Sequence, residues 1–163
     1  MPKRENEKWV NARNKGLKYN AKEIVLAVNM IEKLEKTIDV VYYLMEHEGV
    51  ESFVLMLMKA DNIDLNTLLD REKRDTDILF EIDKEKGTNV LLCQDTKVDG
   101  GYHFAERVIK NILAAKGTNV YCSELEIRST RHPTKNVIFK LIETFMRAQA
   151  ENKTNEIVYK SLN

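Results

Sequence analysis

The stretch DILFEIDKEKGTNVLLC, residues 77–93, predicts a β-hairpin. Its two apolar runs, residues 77–82 and 89–93, are rich in the branched and large side chains that favour strands. The residues between them, 83–87 (DKEKG), are polar and end in a glycine, which adopts a positive φ readily. An antiparallel strand pair is therefore expected near the middle of the chain.

On the N-terminal side, residues 52–58 (SFVLMLM) predict a buried central strand. A long helix is predicted before it, over residues 20–48, because Asn20 and Glu23 form a capping-box pattern and Gly49 suits the helix end. At 1.5 Å per residue this helix is about 42 Å long, more than is needed to cover one sheet. Its N-terminal half is expected to project and to self-associate or bind a partner, with simple core covering as the alternative. The predicted apolar stripe consists of Ile24, Val28, Ile31, Leu34, Ile38, Val41 and Met45.

On the C-terminal side, the pattern predicts a helix, a strand, a helix and a strand at residues 99–116, 119–127, 133–150 and 156–159. A short helical segment at residues 64–73 separates the first strand from the hairpin. The order α-β-(α)-β-β-α-β-α-β predicts an α/β (α+β) fold, a split βαβ sheet with its helices packed on one face.

The length of the chain favours a single domain, and its balanced charge gives it no general attraction for polyanions. The 163 residues suit a single domain, and 26 basic residues balance 26 acidic ones, so nucleic acid is an unlikely partner. Residues 1–19 are expected to form a flexible basic arm, because residues 1–20 carry a net charge of +4. A solvated tail is one interpretation of this arm, and contact with phosphate, protein or a bilayer is the other. Residues 20–163 would form the domain.

The remaining composition points to a cytoplasmic protein. Cys93 and Cys122 lie in apolar runs outside any CxxC spacing, so buried free thiols are expected. No apolar segment reaches the roughly 20 residues that a membrane-spanning helix needs, and residues 1–20 lack the apolar core of a signal peptide.

Four fragments in order carry a family resemblance. They are Arg74-Asp75-Thr76-Asp77, the hairpin tip at residues 83–87, Phe104-Ala105-Glu106-Arg107 and the closing helix with its tail at residues 141–155. In this order residues 20–163 resemble the GGDEF domain of bacterial diguanylate cyclases. The resemblance implies a nucleotidyl-cyclase-like sheet preceded by the long helix.

The sequence departs from that family at three parts of the catalytic site. The tip reads DKEKG where the family has GGDEF, so side chains stand where glycines let the backbone approach phosphates. Lys59 aligns with the aspartate that holds Mg²⁺ in the family. Only about thirteen residues separate Asp61 from Arg74, about half the family's spacing, which implies loss of the guanine-recognising helix. We therefore expect a degenerate GGDEF domain with no cyclase activity, no catalytic residues, no metal site and no cofactor.

Arg74, Asp77 and Arg107 match the family's inhibitory site (I-site), an RxxD motif with a second arginine, which binds cyclic di-GMP. The planar fork of Arg74 suits the guanine O6/N7 edge, Asp77 suits the guanine N–H groups, and Arg107 suits a phosphate. The alternative is a local Arg74–Asp77 ion pair without a ligand.

The resemblance thus implies an inactive signalling domain, a cyclic di-GMP receptor that relays the signal to a protein partner. The alternative is a ligand-independent interaction or dimerisation scaffold.

Overall fold

The computed structural model describes residues 19–163 and contains four helices and five strands in that part of the chain. The basic arm predicted for residues 1–19 lies outside the described residues except for Tyr19. In chain order the elements are α1 (Ala21–His47), β1 (Phe53–Asp61), α2 (Leu65–Glu72), β2 (Ile78–Asp83), β3 (Thr88–Gln94), α3 (Val98–Ala114), β4 (Thr118–Ile127), α4 (Thr134–Ala150) and β5 (Glu156–Leu162).

The strands form one five-stranded sheet in the order β2-β3-β1-β4-β5. The predicted hairpin is confirmed, with β2 antiparallel to β3. Strand β1 is central and antiparallel to both neighbours, so that Leu55 lies opposite Leu92 on one side and Leu125 on the other. Strand β5 adds parallel to β4 after the crossover through α4.

Helices cover both faces of this sheet, so the prediction that they pack on one face was wrong. Phe53, Leu55 and Leu57 of β1 face a core formed with α1 and α4. The alternate residues Val54 and Met56 face a second core formed with α2 and α3. Residues 53–58 are apolar at every position and lack the alternation of polar and apolar residues that a half-exposed strand shows. This pattern is typical of a strand that is buried on both faces, and it therefore favoured a sheet covered on both sides.

Helix α1 begins and ends where the sequence predicts. The Asn20 side chain accepts from the Glu23 amide and the Glu23 carboxylate accepts from the Asn20 amide, each at 2.9 Å, which completes the capping box. After the helix, Gly49 has a φ of +76°.

The N-terminal half of α1 does not project. Ala27 and Met30 are buried against the core, and the Tyr19 ring lies 4.8 Å from that of Phe139 in α4. The predicted stripe is correct at Leu34, Ile38 and Val41 but wrong at Ile24 and Val28, which are 45% and 50% exposed. The seven-residue spacing used for the stripe drifts around a straight helix, and the small Ala27 lets α1 approach the core on the neighbouring face.

Cys93 and Cys122 are buried free thiols, as predicted. No helix in residues 19–163 is long and apolar enough to cross a membrane.

Gly87 at the hairpin tip combines a left-handed backbone conformation with a close backbone contact. Its φ is +64°, and an added Cβ would lie 3.0 Å from the Ala60 carbonyl oxygen. Gly87→Ala should lower the free energy of unfolding by about 2–3 kcal/mol, since the left-handed conformation alone costs roughly 1–2 kcal/mol. Urea denaturation measures this loss. Gly49→Ala is the matched control, because Gly49 has φ +76° but no atom within 4 Å of the added Cβ. Equal losses in both variants would show that the Ala60 contact carries no cost.

Candidate ligand-binding site

The turn between α2 and β2 brings Arg74 and Asp77 together. Helix α2 ends at Glu72, and the extended Lys73 redirects the chain. The Asp77 amide then donates to the Arg74 carbonyl at 3.0 Å, which closes a four-residue turn. The RxxD spacing therefore has a local structural basis, because its first and last residues are the ends of one turn.

The Asp77 carboxylate is buried, and both of its oxygens accept hydrogen bonds from Arg74. One oxygen, Oδ2, accepts from the Arg74 amide at 2.9 Å. The other, Oδ1, accepts from Arg74 Nε at 3.0 Å and from Nη2 at 2.7 Å. The Asp77 side chain is 2% exposed, whereas that of Arg74 is 53% exposed. Asp77 thus fixes the orientation of the Arg74 side chain, and the other edge of the guanidinium faces solvent.

Two groups at and just after the end of β3 also accept hydrogen bonds from Arg74. Its Nη2 also donates to the Gln94 carbonyl at 2.9 Å and to Thr96 Oγ1 at 2.8 Å. The hydrogen bonds to Asp77 raise the pKa of the Arg74 guanidinium above its usual value. The sequence prediction missed Gln94 and Thr96, which the β2–β3 pairing brings to this turn.

Arg107 reaches the same end of the domain from α3. Its Nε lies 3.5 Å from Glu72 Oε1, at the end of the helix that leads into the Arg74 turn. Its guanidinium carbon lies 4.9 Å from the centre of the Phe104 ring. The Arg107 side chain is 56% exposed. The structure thus joins Arg74 and Asp77 directly, and it brings Arg107 to Glu72, two residues before Arg74.

This arrangement presents two half-exposed guanidinium groups on one side of the sheet. Such groups bind phosphates and stack on or hydrogen-bond to guanine bases. Asp77 Oδ2 accepts a single hydrogen bond here, so it has the capacity for one further donor such as a guanine N–H group.

The end of β1 and the hairpin tip do not fit a divalent cation. The Lys59 ammonium lies 3.6 Å from Asp61 Oδ1, so a positive charge already neutralises that carboxylate. Asp83 at the tip accepts from the Lys86 amide at 3.1 Å. No cluster of three or more potential metal ligands occurs within residues 19–163.

A buried carboxyl group that sequence reasoning missed lies beneath α3. Glu124 in β4 is 1% exposed, and neither of its side-chain oxygens has a hydrogen-bond partner in the described part of the protein. Burial raises the pKa of this carboxyl to about 8. Gly101 permits the close packing, because an added Cβ would lie 3.2 Å from Glu124 Oε2.

Comparison with known structures identifies the fold, whereas comparisons with family models and with curated proteins found no match. The GGDEF domain of DgcB from Caulobacter crescentus, solved in complex with c-di-GMP, superposes with a TM-score of 0.66 at 8% sequence identity. The alignment covers 78% of this chain and 88% of that chain.

Two further structures agree. The diguanylate cyclase SiaD from Pseudomonas aeruginosa, solved with its activator SiaC, has a TM-score of 0.62 at 12% identity over 79% of this chain and 57% of that chain. The active GGEEF domain of a diguanylate cyclase from Vibrio cholerae has a TM-score of 0.59 at 11% identity over 76% and 92%. The chain therefore has the fold of GGDEF domains.

Proposed function

We propose that this protein is a catalytically inactive GGDEF-like domain that binds cyclic di-GMP through Arg74, Asp77 and Arg107 and relays the signal to a protein partner. The observation that carries the proposal is the fixed orientation of Arg74. Its guanidinium donates hydrogen bonds to Asp77, Gln94 and Thr96 and still has one edge exposed. A preorganised arginine fork loses little conformational entropy when it binds an anion or a guanine edge.

The roles of the three residues follow from their exposure. The half-exposed Arg74 and Arg107 are the groups that a ligand meets first, and both carry a permanent positive charge. The buried Asp77 positions Arg74, and Oδ2, which accepts one hydrogen bond from the Arg74 amide, has the capacity to accept a guanine N–H group as well. A cyclic dinucleotide offers both phosphates and guanine edges, so it matches both arginines at once.

Binding itself is the first expected result. Calorimetric titration of the full chain with cyclic di-GMP should give saturable heat. At a ligand concentration of one hundred times the dissociation constant, the domain should gain about 2.7 kcal/mol of stability. Thermal unfolding should then shift by several degrees. No heat and no shift at millimolar ligand would contradict the receptor proposal and leave the scaffold alternative.

Catalysis should be absent. Lys59 opposes a metal ion at the end of β1, and the tip residues Asp83 and Lys84 carry side chains where the family has two glycines. Incubation with GTP and Mg²⁺ or Mn²⁺, analysed by chromatography, should yield no cyclic dinucleotide above a no-enzyme blank. Time-dependent product that scales with protein concentration would contradict the loss of activity.

The scaffold alternative is favoured by one feature, the apolar residues on the solvent side of α1. Ile24, Val25 and Val28 are 45%, 60% and 50% exposed near its N-terminal end. Under this alternative, a Val25→Glu, Val28→Glu double variant loses self-association or partner binding in light scattering, and cyclic di-GMP has no effect.

A further inference from the structure

A cavity of about 430 Å³ lies on the face of the sheet opposite the Arg74 turn. It opens between the N-terminal turns of α1, the C-terminal turns of α4 and the end of the β2–β3 hairpin. Val25, Leu26, Phe145 and Met146 contribute apolar walls. Its volume falls within the range of small-molecule sites, which combine apolar walls with a few polar groups.

The charges around the cavity are predominantly positive. Within residues 19–163, Lys22, Lys59 and Lys86 line it together with the carboxylate of Asp83, and the Lys59 ammonium also pairs with Asp61 at 3.6 Å. Lys59 is the most enclosed of the three, with a side chain that is 23% exposed.

We infer that this cavity binds a small organic anion with an apolar body, through Lys22, Lys59 and Lys86 at its head group and Val25, Leu26, Phe145 and Met146 along its body. The head group is a carboxylate or a phosphate monoester. Both groups are anions that pair with the lysine ammonium groups, and neither needs a metal ion in order to bind.

This site goes beyond the proposed function and is independent of it. Arg74 and Arg107 lie with α2 and α3, whereas the cavity lies with α1 and α4. Loss of cyclic di-GMP binding in an Arg74 variant would therefore leave the cavity intact, and loss of anion binding would leave the Arg74 site intact.

The test uses two fluorescent probes that differ by one charge. Anilinonaphthalene sulfonate carries an anionic head, and phenylnaphthylamine has the same aromatic body without it. The full chain is expected to bind the sulfonate in a one-to-one complex and the neutral analogue at least about tenfold more weakly. Octanoate and octyl phosphate, compared as competitors with octanol, then show which head group is preferred. Equal binding of the neutral probe, or equal displacement by octanol, would overturn the proposal.

Variants locate the probe. Lys59→Met and Lys86→Gln should each weaken sulfonate binding about fivefold, because each removes one charge beside the head group. Lys84→Gln is the matched control, since Lys84 lies on the same hairpin but does not line this cavity. It should change the affinity less than twofold, and an equal loss there would reduce the effect to general charge and overturn the site.

Methyl resonances give a second measurement that survives a poorly folding variant. In the wild-type chain labelled at methionine methyl groups, the probe should shift Met146, which lines the cavity. Met56 and Met58 lie in the core on the opposite face and should not shift. An unperturbed Met146 at saturating probe would place the ligand elsewhere and contradict the proposal.

Discussion

Arg74→Ala is expected to weaken cyclic di-GMP binding about ten- to a hundredfold, because a charge-assisted contact is worth roughly 1.5–3 kcal/mol. The same variant leaves the buried Asp77 carboxylate without its two guanidinium donors. We therefore also expect a loss of about 1–3 kcal/mol in the free energy of unfolding. Calorimetry measures the first effect and urea denaturation the second.

Three companion variants separate ligand recognition from structural support. Arg74→Lys should also bind poorly, since an ammonium group cannot reproduce the planar fork that Asp77 holds. The Arg74→Ala, Asp77→Ala double variant removes the carboxylate that lost its guanidinium donors, together with its hydrogen bond to the amide of residue 74, so it should recover only part of the stability and none of the affinity. Arg71→Ala, in the last turn of α2 and outside the motif, should change neither quantity appreciably. Wild-type affinity in Arg74→Ala would move the ligand to another surface.

Glu124→Met is expected to stabilise the domain at alkaline pH by on the order of 5 kcal/mol. The folded pKa of about 8 lies above the ordinary value of 4.5. Below pH 4.5 both the folded and the unfolded carboxyl groups are protonated, so the carboxyl imposes no pH-dependent penalty. Between pH 4.5 and 8 the unfolded state ionises first and is increasingly favoured, and above pH 8 the penalty is complete. The gain from methionine should therefore grow from pH 5 to pH 8 and then level off.

Glu126 provides the contrast on the same strand and the same face. Its carboxylate accepts from the Val98 amide at 3.2 Å and from Ser161 Oγ at 2.6 Å, so Glu126→Met should destabilise the domain. Urea denaturation of both variants from pH 5 to pH 9 gives the two profiles. A Glu124→Met protein no more stable than wild type at pH 9 would mean that the carboxyl reaches water.

The sequence predicted those parts of the fold that local chemistry decides. The capping box at Asn20 and Glu23, the positive φ of Gly87 and the two hairpin strands depend on neighbours within a few residues. Which face of α1 is buried depends instead on α4, more than a hundred residues further along the chain. The apolar Ile24 and Val28 therefore looked like core residues although they face outward.

The candidate site shows the same difference between local and long-range contacts. Arg74 and Asp77 meet within one turn, so their spacing in the sequence was informative. The contacts of Arg74 with Gln94 and Thr96, and of Arg107 with Glu72, depend on strand and helix packing across 20 or more residues. Glu124 gave no signal in the sequence, because nothing in a single chain distinguishes a buried carboxyl from a surface one.

Under the proposed function, the position of β2 at the sheet edge affects how the binding of a ligand could be passed on. Among the described strands β2 pairs only with β3, whereas β1 is paired on both sides. Its amide hydrogens should therefore exchange with solvent through local opening long before those of β1 do. Because Asp77 directly precedes Ile78, the first residue of β2, a ligand that holds the Arg74 turn closed should slow exchange along β2 selectively. The domain would then transmit occupancy as a change in the lifetime of one edge strand, with little movement of its average structure.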